Sequence, residues 1–191
     1  MSEKTPTKII QKDESDVLRS KAKAVPQDMI GSQELSDIIE SMKRTLATQR
    51  DGVAIAAPQI GKSLRIFVVS GKVYDQLERA DSNELEAIDE KQTQETSDKV
   101  FINPEISKTS KKIVDLDEGC LSVRHYFGKV PRHAKVTIKA LDQDGVPFTE
   151  GRSGLLAQIF QHETDHLNGV LFIDKANNVE YRDPDTARKE H

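Results

Sequence analysis

The sequence predicts an α+β fold, with a series of strands set between two amphipathic helices and no regular βαβ alternation. Three observations carry this reading. Residues 32–50 place Leu35, Ile38, Ile39, Met42 and Leu46 at helical spacing, and residues 153–168 turn helical again. Between them lie short apolar runs rich in β-branched residues. At 191 residues the chain is long enough for one domain with a real core and short for two, so residues 1–191 read as a single domain.

The elements follow in order. Residues 8–11 look like a short strand. Ser32 is the expected N-cap of the first helix, with Glu34 favourably charged in its first turn. GVAIAAPQIG (52–61) and RIFVVS (65–70) come next, the second with the composition of a buried strand. VFINPEI, KKIVDLDEGCLSV and AKVTIKALDQDGVPF read as strands, and Asp144-Gly145 marks a tight turn. The last helix ends where Gly169 can adopt the left-handed conformation. Residues from about 175 onward form a polar tail, expected to be peripheral.

The composition narrows the function. Hydrophobic residues at 36% and charged residues at 31% describe a globular protein with a wet surface. No apolar run approaches the ~20 residues of a membrane span, and the charged opening MSEKTPTKII has neither a secretion core nor transit-peptide character. A cytoplasmic location is expected. The single cysteine, Cys120, excludes an internal disulfide and agrees with a reducing compartment. A net charge of -4 argues against DNA binding through a basic surface. The acidity is concentrated in one stretch: residues 71–100 carry nine acidic and four basic side chains. With few apolar residues, positions 71–98 read as an acidic surface insertion.

The chemistry gathers in FQHETDHLNG (160–169). On a helix, His162 and His166 fall on one face and can point at one ion, with Glu163 beside them. An amphipathic helix with histidines at a polar boundary is the bland alternative. Leu155, Leu156, Ile159, Phe160 and Leu167 argue against it, because they place the histidines in or near the core, where unpaired polar groups are costly. A catalytic metal usually takes three protein ligands and keeps one position open, so a Cys, His, Asp or Glu is missing. EGCLS (118–122) offers Cys120 beside Gly119, although a lone cysteine is otherwise an ordinary small hydrophobe. Gln59, isolated in an apolar run, is either a loop-satisfying amide or a donor aimed at a developing oxyanion.

Together these motifs resemble the peptide deformylase family, whose members remove the formyl group from the N-terminal methionine of new bacterial polypeptides. GVAIAAPQIG is similar to the family's GxGxAAxQ, EGCLS is identical to its second motif, and QHETDHLNG fits QHExDHxxG. Weaker agreement runs from VLR (17–19) through VPR (130–132) to LFID (171–174). The resemblance implies antiparallel sheets packed around a central helix that carries the HExxH residues. It also implies Cys120, His162 and His166 as metal ligands, Glu163 as general acid/base, and Gln59 with the Leu121 backbone N–H as the oxyanion site. Val53, Ala54, Gly119, Leu155 and Ile159 are expected around the substrate. The implied metal is ferrous iron, with nickel, cobalt or zinc as substitutes. The implied partners are N-formylmethionyl peptides and nascent chains, with transient ribosome contact and no membrane.

Three positions depart from the family pattern. Ala54 replaces a glycine, Arg124 a proline, and Gln158 an apolar residue one turn before His162. His125 is a weak candidate for a fourth ligand, since a catalytic metal keeps a position open. An HExxH endopeptidase would leave EGCLS and Gln59 unexplained.

Overall fold

The computed structural model describes residues 5–81 and 96–183. The first helix, α1 (Gln33–Ala47), starts as its sequence dictates. The Ser32 hydroxyl accepts a hydrogen bond from the Leu35 N–H at 3.2 Å, and Leu35, Ile38, Ile39, Met42 and Leu46 are buried along one side. There follow β1 (Ala54–Ala56), a 3-10 turn (Ala57–Ile60), β2 (Ile66–Val69), α2 (Gly71–Asp81) and β3 (Lys99–Thr109). Next come β4 (Ile113–Cys120), β5 (Val123–His133), β6 (Lys135–Leu141), β7 (Pro147–Ser153), α3 (Gly154–Leu167) and β8 (Asn177–Tyr181).

The strands make two antiparallel sheets, one ordered β1-β2-β3-β6-β7 and the other β4-β5-β8. The architecture is the expected α+β. All four residues of β2 are buried because both faces of its sheet are covered. Ile66 and Val68 join the cluster that α1 fills, whereas Phe67 and Val69 join the one that α3 fills. On the α3 side, Phe67 stacks on Phe101 with ring centres 4.5 Å apart, and Phe160 of α3 lies 5.1 Å from Phe101. The helix α3 also touches β5 of the smaller sheet, so it stands between the two sheets.

Both tight turns expected from the sequence are present. The Asp142 side chain accepts from the N–H groups of Asp144 and Val146, with Gly145 at φ 79°. At the end of α3, Gly169 takes φ 75°, and a β-carbon there would meet the Arg19 carbonyl oxygen at 2.6 Å. Glycine is therefore required twice over, by conformation and by space.

Three expectations change. Residues 8–11 are no strand; this stretch is an extended strap whose Ile10 N–H donates to the Gln59 carbonyl at 2.9 Å. The segment 71–98 does not begin as a surface excursion. Val73, Tyr74 and Leu77 give its first part a narrow apolar stripe, and α2 packs Val73 and Tyr74 into the core beside Phe101. The greater part of the acidic stretch, residues 82–95, lies outside the described residues. The polar tail supplies β8, paired to β5 with Tyr126 opposite Tyr181. All five residues of β8 are exposed, and its only apolar alternation is the single pair Val179 and Tyr181, too short to mark a strand in a sequence.

The aromatic stack predicts a stability effect. Phe101→Ala should lower the unfolding free energy by about 3–5 kcal/mol in urea titration, the usual cost of deleting a fully buried aromatic ring. A loss under about 1 kcal/mol would mean that the ring is not a structural anchor.

Candidate metal centre

The strand β7 passes straight into α3 without a loop. Ser153 ends the strand, and Gly154, at φ 59°, makes the turn that points the helix back between the sheets. On α3, His162 and His166 lie on one face with ring centres 5.0 Å apart. Opposite them, the β4–β5 hairpin slips register between Glu118 and Cys120 and closes through Leu121 and Ser122. This delivers the Cys120 sulfur to 3.2 Å from His166 Nε2. One ligand atom each from Cys120, His162 and His166 falls within 4.8 Å of the others, and His125 is not part of this group.

The second imidazole is oriented by a carboxylate. His162 Nδ1 lies 2.9 Å from Glu118 Oε2. A carboxylate can only accept, so Nδ1 carries a proton and Nε2 is the nitrogen left to face the cluster. Glu118 is in turn gripped by Arg132 of β5, whose Nε and Nη2 donate to its two oxygens at 2.7 and 2.9 Å. The same guanidinium donates through Nη1 to Asp165 of α3 at 2.6 Å, and Lys175 covers the far side of Asp165. Burial would raise the Glu118 carboxyl, but the hydrogen bonds and charges of Arg132 and His162 together outweigh it and hold it down at about 2.

Burial also pushes the Cys120 thiol up, and the two imidazoles more than reverse this, bringing it down to about 5. The same pairing raises His162 well above its usual value against the opposing effect of burial. Burial raises Glu163, which is 4% exposed and has a carboxylate oxygen with no hydrogen-bond partner among the described residues. A thiolate and two imidazoles are a donor set that suits a divalent transition metal. The orphaned Glu163 oxygen calls for a polar occupant beside them. The residues present fit a metal.

Gln59 is held in one orientation. Its side-chain oxygen accepts from the Ala56 N–H at 2.8 Å, so its NH2 end faces Ser122 Oγ at 3.2 Å and the Cys120 sulfur at 3.7 Å. The amide that looks misplaced in an apolar run is thus a fixed donor beside the cluster. The N-terminal strap holds the same region from behind, with Gln11 Nε2 donating to the Leu121 carbonyl at 3.2 Å.

These groups open onto a cleft of about 360 Å³. Gln59, Cys120, Leu121, His162 and Glu163 line it together with all five residues expected near the substrate: Val53, Ala54, Gly119, Leu155 and Ile159. Gly119 is constrained by packing, because a β-carbon there would sit 2.8 Å from the Phe127 ring. Arg124 stands at the rim, bonded to Gln49 at 2.5 Å and to Asp51 at 3.3 Å. Both β1 and β4 are edge strands of their sheets, and residues from both line the cleft. A family model for polypeptide deformylase matches residues 7–182.

The chain belongs to the polypeptide deformylase family. As such it is an enzyme that hydrolyses the N-terminal formyl group of nascent polypeptides. The peptide deformylase of Halothermothrix orenii is 44% identical over 159 residues, covering 83% of this chain and 86% of that protein. That of Christiangramia forsetii is 36% identical over 166 residues, covering 87% and 80%. Among solved structures, the class I type b peptide deformylase of Acinetobacter baumannii bound to Met-Ala-Ser has a TM-score of 0.73 at 30% identity, covering 90% of this chain and all of that one.

Two residues of the centre escaped the sequence reading: Glu118 and Arg132 stood in quoted motifs without a role. A signal for Glu118 was present, since residues two apart on a strand share a face and Glu118 precedes Cys120 by two. Arg132 had none, because its partners lie 14 and 33 residues away in sequence. Glu118→Gln should weaken metal affinity by about 10–100-fold in chelator competition, as loss of a histidine-orienting carboxylate generally does. Unchanged affinity would show that His162 is held without it.

Proposed function

We propose that Cys120, His162 and His166 hold the metal and that Glu163 moves the proton in formyl-peptide hydrolysis. The observation that carries this reading is the buried carboxylate oxygen of Glu163, without a partner among the described residues, beside the cluster of Cys120, His162 and His166. A divalent metal held there supplies Lewis acidity and makes water ionisable near neutral pH. Glu163 takes the proton from the water that attacks the formyl carbon and returns it to the departing amine as the C–N bond breaks. Gln59 Nε2 and the Leu121 N–H donate to the carbonyl oxygen as it gains charge. Formate and a free N-terminal amine result.

The two free sheet edges explain how a linear peptide would bind. An extended chain lying in the cleft can pair with the backbone of β4, or with the chain entering β1, where Val53 is exposed. The Acinetobacter baumannii relative bound to Met-Ala-Ser supports such a ligand. Ile159, Leu155 and Val53 offer the first side chain an apolar surface, while Ala54 and Gly119 keep the wall close to the reacting carbon. That wall favours formyl over acetyl, although one methyl group discriminates by only ~1–3 kcal/mol in an ordinary pocket.

Ferrous iron is the metal we assign, on the family resemblance, with nickel, cobalt or zinc able to occupy the same donors. A cytoplasmic setting and transient contact with the ribosome belong to the same reading. In support, the one cysteine lies in the cluster with His162 and His166 and is free.

Anaerobically prepared, iron-loaded protein should release formate from formyl-Met-Ala-Ser and leave acetyl-Met-Ala-Ser largely intact, whereas Glu163→Ala should release none above background. Formate release by Glu163→Ala at the wild-type rate would remove Glu163 from the chemistry. In steady-state kinetics Gln59→Ala should reduce kcat by about 10²–10³ with a smaller change in KM, the signature of a donor that acts on developing charge.

A further inference from the structure

Gln158 lines the cleft beside the apolar Leu155 and Ile159 of α3. It lies four residues before His162, and with Leu155, Ile159 and His162 it lines the cleft from the face of α3 that carries the ligand histidines. Its amide reaches across to β4, where Nε2 donates to the Asp117 carbonyl at 2.9 Å. Because β4 is an edge strand, this bond occupies a backbone acceptor on the side open to the cleft. The carboxamide is therefore anchored in place beside Leu155 and Ile159.

An amide nitrogen carries two hydrogens, and the Asp117 carbonyl takes one. The other hydrogen and the amide oxygen remain for whatever enters the pocket. Norleucine can use neither, and the methionine thioether is only a weak acceptor. A side chain of the same length that bears an oxygen acceptor at the sulfur position can use the N–H. Methionine sulfoxide has that shape, and its S=O group is a strong acceptor formed by mild oxidation of methionine. In an apolar pocket its oxygen would lose its hydrogen bonds to water without replacement.

We propose that Gln158 extends the substrate range of this enzyme to peptides beginning with formyl-methionine sulfoxide, by donating a hydrogen bond to the sulfoxide oxygen. This rests on the functional reading above. Gln158 is a specificity residue and takes no part in the bond cleavage.

The test compares kcat/KM of the iron-loaded full chain on formyl-Met-Ala-Ser, formyl-Met(O)-Ala-Ser and formyl-norleucyl-Ala-Ser. The wild type should turn over the sulfoxide peptide within about tenfold of the methionine peptide, and Gln158→Leu should lower the sulfoxide-to-norleucine ratio by about tenfold, the effect of one neutral hydrogen bond. Gln158→Ala, which adds no bulk to the pocket, should lower the ratio in the same direction. Rejection of the sulfoxide by a wild type active on methionine, or an unchanged ratio in both variants, would overturn the inference and leave the functional reading intact. No formate from formyl-Met-Ala-Ser would overturn both.

Discussion

A single buried guanidinium ties the parts of this enzyme together. Arg132, 3% exposed, belongs to the smaller sheet, grips Glu118 of the neighbouring strand, and reaches Asp165 on the helix between the sheets. Removing three charges from water is expensive, and close hydrogen-bonded pairing is what offsets it. Each of the three side chains depends on the others remaining in place. The arrangement thereby fixes the distance between β4, which carries Cys120, and α3, which carries both histidines. Through Glu118 it also sets the orientation of the His162 ring. The geometry of the centre is a consequence of this packing between layers.

That dependence explains where the sequence was readable. The helices α1 and α3 announced themselves by period, Ser32 and Gly169 marked their ends, and β2 was visible as an unbroken apolar run because helices cover both faces of its sheet. Cys120, His162, Glu163, His166 and Gln59 could be picked out because their residue types are anomalous where they stand. Arg132 is anomalous only in three dimensions; in sequence it is one cation near the end of a strand. The exposed edge strand β8 and the strap at residues 8–12 were invisible for a related reason. Their order comes from backbone hydrogen bonds to β5, Gln59 and Ser122 rather than from side-chain pattern.

The cleft reflects a second constraint, the presence of two sheets that do not close on one another. Each leaves one edge strand, β1 or β4, at the cleft, with α3 between the sheets. An exposed sheet edge is ordinarily a liability, because it can pair with any extended chain. In the function we propose, the same property receives the substrate backbone. The cluster of Cys120, His162 and His166 sits at the end of one of those edges, where the β4–β5 hairpin slips register and turns Cys120 toward the histidines. Gln158 closes part of the β4 edge where it lines the cleft.

The central claim is that one sulfur and two imidazoles, brought together by the Arg132 network, form one metal site. Loading the chain with cobalt(II) under anaerobic conditions and recording its near-ultraviolet absorption tests this most directly. A sulfur-to-cobalt charge-transfer band that saturates at one ion per chain, and disappears in Cys120→Ser, is the predicted result. Tight cobalt binding without that band in the wild type would contradict the account, because the metal would then be held elsewhere than at Cys120.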